Sequence, residues 1–147
     1  MIATLPNQLS ILIVEDHADT AESLAELLTL CGCDVRVAGS APEALDAADD
    51  QMPDVVLLDI GLPGMDGWEA ARWLREQATG KQPLVVAVTG YGSDADRQRS
   101  ADAGIDLHLT KPADPADLIL LLARIRGILA PAGSEAAVSH RVAKLTR

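Results

Sequence analysis

Positive charge is scarce in this chain. Lys and Arg together number 12 against 22 Asp and Glu, a formal net charge of −10 over 147 residues. A nucleic-acid surface needs clustered Lys and Arg to neutralise phosphates, and here they are few and scattered, which argues against a nucleic-acid partner. Cysteine is equally scarce: Cys31 and Cys33 are the only two. A single C-x-C lacks the second pair or histidine cluster that would complete a zinc site. The pair reads as small buried hydrophobes in a reducing compartment. Long apolar runs are missing as well. The most apolar stretch, residues 118–122, is soon interrupted by Arg124 and Arg126, far short of the roughly 20 residues that a membrane-spanning helix needs. No segment resembles a signal peptide. The expectation is a cytoplasmic chain with no membrane partner, long enough for one ordinary domain plus tails.

What the sequence does contain is a set of short apolar runs that each stop at a polar residue. In residues 53–67, a run of Val and Leu ends in Asp59 and is followed at once by Gly61, Pro63, Gly64 and Gly67, a strand that breaks into a turn. Residues 11–14 form a fully apolar run, the pattern of a strand buried on both faces, and it stops at Glu15-Asp16. Asp19 and Glu22 have capping-box spacing, Ala21, Leu24, Leu27, Leu28 and Cys31 recur at helical spacing, and Gly32 supplies the stop. His17 reads as a solvated histidine.

A more exposed strand over residues 35–37 precedes a second capping box, Ser40 with Glu43. After the Asp59 strand, Gly67 opens a helix through Ala70, Ala71 and Leu74. Residues 84–88 form a fourth buried run ending at Thr89, and Ser93 can cap a polar helix over residues 94–103 that Gly104 terminates. A fifth strand, Leu107–Thr110, ends at Lys111-Pro112, and Asp114 with Pro115 starts the last helix. Alternating strands and helices predict an α/β fold: a doubly wound, five-stranded parallel sheet with helices on both faces. Residues 1–9 read as a lead-in, residues 10–130 as the domain, and residues 131–147, dominated at first by Gly, Ser and Ala, as a largely disordered tail.

In a parallel sheet the carboxyl ends of the strands open onto the ligand crevice. Glu15, Asp16, Asp59, Thr89 and Lys111 all fall there. Two unit charges about 4 Å apart repel by roughly 4 kcal/mol at an effective dielectric near 20, so three gathered acids require a cation. An oxygen-rich site with few protein ligands suits Mg²⁺, which keeps several waters and shares its shell with phosphate. Taken singly, each residue has a plainer reading as a helix cap or surface group; the joint pattern is what is specific.

That pattern resembles the receiver domains of two-component response regulators, over about residues 10–129, and most nearly those of hybrid kinases and single-domain regulators. Glu15-Asp16 resembles the family's acidic pair, Asp59 its phosphoacceptor, Thr89 its switch hydroxyl, and Lys111-Pro112 its lysine followed by a cis proline. The resemblance implies the flavodoxin-like strand order 2-1-3-4-5. It also implies phosphoryl transfer to Asp59 from a phosphohistidine of a sensor histidine kinase or histidine phosphotransfer protein. Mg²⁺ would be held by Asp16, Asp59 and the Gly61 backbone carbonyl, with Glu15 helping through water. Phosphorylation would draw the Thr89 hydroxyl inward and switch protein contacts with a downstream partner. A monomer or weak dimer is expected.

Two positions depart from the family pattern. His108 stands three residues before Lys111, where an aromatic is usual, and Gly61 stands two after Asp59, where it cannot orient an attacking water. The expected output face is that of His108 and the last helix, with no DNA-binding output domain. A phosphatase with an aspartyl-phosphate intermediate is the rival from another class. Such enzymes usually place a second Asp two after the nucleophile, where this chain has Gly61. A scaffold that uses the fold without phosphorylation is the third reading.

Overall fold

In the computed structural model the described residues are 8–60, 67–78, 80, 82–89, 102–110 and 114–129. The chain separates into two compact units, Met1–Pro112 and Ala113–Arg147. In the first unit the strands are β1 (Ser10–Val14), β2 (Asp34–Ala38), β3 (Val55–Asp59), β4 (Leu84–Thr89) and β5 (Leu107–Thr110). Its described helices are α1 (Ala18–Leu30), α2 (Ala41–Asp50) and α3 (Gly67–Gln77). All pairings are parallel and the strand order is β2-β1-β3-β4-β5, the order the resemblance implies.

The central strands are apolar on both faces because both faces are covered. On one face Leu12, Val14, Val56, Leu58, Val85 and Ala87 form a layer with Ala44 and Ala48 of α2 and Ala70, Ala71 and Leu74 of α3. Alanines on the two helices let their backbones lie close to the sheet. Residues of the opposite parity, Ile11, Ile13, Val55, Leu57 and Val86, are equally buried, and α1, with Ala21 and Leu28 buried, packs against β1 and β2. Burying a side chain of this size contributes about 1.5–3 kcal/mol, so this double layer is the main source of stability. The lead-in contributes too: Leu9 is buried, and its carbonyl accepts from the Asp34 N–H at 2.7 Å.

Among the described residues the helix starts were legible with one exception. Ser40 caps α2 by accepting from the Glu43 N–H at 3.3 Å, while the Glu43 carboxylate accepts from the Gly39 N–H at 3.0 Å. The α1 cap is not Asp19. His17 is the cap, its Nδ1 accepting from the Thr20 N–H at 3.3 Å, and Asp19 lies inside the first turn, where a negative charge still favours the helix N-terminus. Gly32, at φ +89, ends that helix as expected. Cys31 is half-buried and Cys33 buried, both thiols.

The amino-terminal rim of the sheet is laced together. The Asp54 carboxylate accepts from the Ser10 N–H at 2.8 Å, and the Asp54 N–H donates to the Ser10 carbonyl at 2.8 Å. The Leu84 N–H donates to the Asp54 carbonyl at 2.9 Å. In the second unit the described helix is α4 (Pro115–Ile128), capped by Asp114, which accepts from the Asp117 N–H at 2.9 Å. Among the described residues no helix is long and apolar enough to cross a membrane. The helix expected over residues 94–103, except its last two residues, and the tail over residues 131–147 lie outside the described residues.

Candidate functional site

Register builds the site. Val14 of β1 is level with Leu58 of β3, so the next residues, Glu15 and Asp59, emerge side by side at the carboxyl rim. Glu15 and Asp59 are buried, at 5% and 7% exposure, whereas Asp16 is exposed. One oxygen from each of Glu15, Asp16 and Asp59 lies within 4.8 Å of the others, the only group of three or more potential metal ligands among the described residues.

Backbone bonds hold these carboxylates in place. The Glu15 N–H donates to the Ala38 carbonyl at 3.0 Å, and its carboxylate accepts from the His17 N–H at 3.1 Å. His17 therefore serves twice, orienting Glu15 with its backbone and starting α1 with its ring. Beyond Asp59, the Ile60 N–H donates to the Val88 carbonyl at 3.2 Å and the Gly67 N–H to the Ile60 carbonyl at 3.2 Å. A Cβ on Gly67 would stand 2.6 Å from Ile60 Cα and 3.2 Å from the Asp59 carbonyl oxygen. Only glycine lets α3 begin this close to the end of β3.

Three carboxylates in so small a space repel one another, and two of them have little water to screen them. The donor set is all oxygen, negative, and open to solvent on the Asp16 side. That fits a hard divalent cation that retains part of its water shell, as Mg²⁺ does.

The other residues singled out in the sequence fall as follows. Thr89 is the last residue of β4 and its backbone is level with Thr110 of β5; its side chain lies outside the described part, as do Gly61, Lys111 and Pro112. His108 is level with Ala87 on β4 and half-buried. Sequence reasoning missed two features: the close approach at Gly67 and the capping by His17. A glycine at a first helical position is a signal for the former. The latter had none, since His is not among the usual caps.

Residues 11–123 match the response regulator receiver domain family. An uncharacterized 14.6 kDa protein of Leptolyngbya boryana is 37% identical over 115 residues, 78% of this chain and 88% of that one. The sensory transduction protein RegX3 of Mycolicibacterium smegmatis is 38% identical over 120 residues, 82% of this chain and 50% of its own length. The chain thus spans only half of that relative. The receiver domain of sensor histidine kinase PA1611 from Pseudomonas aeruginosa, crystallised with a magnesium ion coordinated in the active-site cleft, superimposes with a TM-score of 0.73 at 31% identity, covering 82% of this chain and 98% of that one. With a parallel sheet in the order β2-β1-β3-β4-β5, three acids at its carboxyl rim and these relatives, the chain belongs to the response regulator receiver domains of two-component signalling.

Proposed function

We propose that this receiver accepts a phosphoryl group on Asp59 from a phosphohistidine of a histidine kinase or histidine phosphotransfer protein. The observation that carries this reading is the buried Asp59 carboxylate with Glu15 and Asp16 within 4.8 Å of it. A carboxylate oxygen of Asp59 attacks phosphorus in line, the P–N bond breaks, and its electron pair leaves with the imidazole. The protein's part is positioning and charge neutralisation.

Asp16, Asp59 and the Gly61 carbonyl would hold Mg²⁺, with Glu15 acting through water. The ion would offset the negative charge of the phosphoryl oxygens. Lys111 supplies a mobile positive charge for another phosphoryl oxygen, and Thr89 a hydroxyl that turns toward the new acceptors. His108 and Pro112 belong to the output side of the switch. A phosphoryl group adds roughly 1.5 to 2 negative charges, and only a surface whose partner affinity differs between the two states can pass that change on. In this reading the receiver comprises residues 10–130, flanked by the lead-in and the tail, and acts in the cytoplasm through protein contacts.

The test is chemical phosphorylation. Acetyl phosphate with Mg²⁺ is expected to add one phosphoryl group by intact-mass measurement, with acetate as the leaving group, and Asp59→Asn to abolish the addition. Equal labelling of that variant would overturn the assignment.

A further inference from the structure

At the opposite end of the strands, Arg75 ties together three segments. From the last turn of α3 its Nε and Nη2 donate to the Gly104 carbonyl at 3.0 and 2.7 Å. Its Nη1 donates to the Pro83 carbonyl at 2.6 Å, and Nη2 also pairs with the Asp106 carboxylate. The same carboxylate oxygen accepts from the Val85 N–H at 2.8 Å, and the Asp106 N–H donates to the Val85 carbonyl at 2.8 Å. Gly104 sits at φ +87, and a Cβ there would stand 3.1 Å from Arg75 Cγ and Nε. The guanidinium thus fits a turn shaped around it.

The consequence concerns β5. That strand has four residues and pairs with β4 alone among the described strands. β4 is held on its other side by five residue pairs with β3, whereas among the described residues no second strand pairs with β5. A slip of one residue would move β5 by about 3.3 Å and turn its side chains to the opposite face. Asp106 immediately precedes β5 and is bonded in both directions to Val85, so the pair fixes where β5 begins. The register that follows puts Thr110 level with Thr89, and Lys111 is the next residue.

We propose that Arg75 and Asp106 are positioning residues for phosphoryl transfer, locking β5 in the register that sets Thr110 level with Thr89, one residue before Lys111 in the chain. This rests on the reading of Asp59 as phosphoacceptor. Neither residue touches the reacting atoms; both act through the strand.

The test separates positioning from general stability. Arg75→Lys keeps the charge but cannot supply the planar fork that spans two carbonyls and a carboxylate. Asp106→Asn keeps an acceptor for the Val85 N–H and loses the ion pair. Misplacement by about 1 Å costs up to about a hundredfold, so acetyl phosphate should label Asp59 roughly ten- to a hundredfold more slowly in either variant. Mg²⁺ affinity by calorimetry should stay within about twofold, because Glu15, Asp16 and Asp59 are carried by β1 and β3. Labelling rates within about twofold of the unaltered chain, or a parallel loss of Mg²⁺ affinity, would overturn the proposal. If one variant does not fold, the other decides. An unaltered chain that takes no label, or an Asp59→Asn chain that takes as much, would overturn the phosphoacceptor reading and this proposal with it.

Discussion

Three carboxylates within 4.8 Å of one another repel. Asp59→Asn removes one of the like charges, so in chelator the variant should be more stable than the unaltered chain by on the order of 1 kcal/mol. Saturating Mg²⁺ should erase or reverse that advantage, since it binds the native state with three acids better than with two. Thermal melts in chelator and in Mg²⁺ check both halves. The acids are also unequal. Glu15 is buried and already accepts from the His17 N–H, whereas Asp16 is exposed and faces water. Asp16→Asn is therefore expected to lower Mg²⁺ affinity by about tenfold or more, and Glu15→Gln by distinctly less. Equal losses in a calorimetric titration would show that the cation sits elsewhere.

For single elements, the sequence disclosed whatever is written in short range. Each central strand was visible as an apolar run, and the Ser40–Glu43 box gave the start of α2, because those patterns span at most a turn or two. Asp59 could be picked out because it ends a buried strand. Its meeting with Glu15 depends on the pairing of Val14 with Leu58, a register that neither segment encodes alone: the apolar runs put both acids at the carboxyl edge of the sheet, and only the family resemblance put β1 beside β3. Arg75 and Asp106 lie 31 residues apart and match no local pattern, so their pairing was invisible. The α1 start was misread because an Asp at a plausible spacing outranked a His that does the capping. Gly67 looked like an ordinary helix opener. Its real constraint is steric, and it yields a prediction: Gly67→Ala places a Cβ 2.6 Å from Ile60 Cα, which should cost about 1–3 kcal/mol. The same shift displaces the backbone next to Asp59, so acetyl phosphate labelling should slow as well. Urea denaturation with a labelling time course checks both effects.

Across the whole chain, the net charge of −10 sets what this protein can meet. Without clustered cations there are few counterions to release from a duplex, so this chain should not bind DNA at physiological salt, even weakly. Fluorescence anisotropy with a labelled duplex, at protein concentrations up to about 100 μM, should stay flat. Adding a phosphoryl group makes the molecule more acidic still, which favours partners that present basic surfaces.

The two rims of the sheet are built differently. Carboxylates line one, while Ser10, Asp34, Asp54, Leu84, Val85 and Asp106 lace the other with backbone and side-chain bonds between 2.7 and 2.9 Å. Amides held in such bonds exchange more slowly than unbonded ones. Deuterium uptake at those six positions should therefore be slow and identical before and after acetyl phosphate treatment, giving an internal clock against which uptake elsewhere can be read. Any amide that changes its rate on treatment must belong to the responsive part of the molecule, so one isotope experiment would trace the route from Asp59 to whatever surface a partner reads.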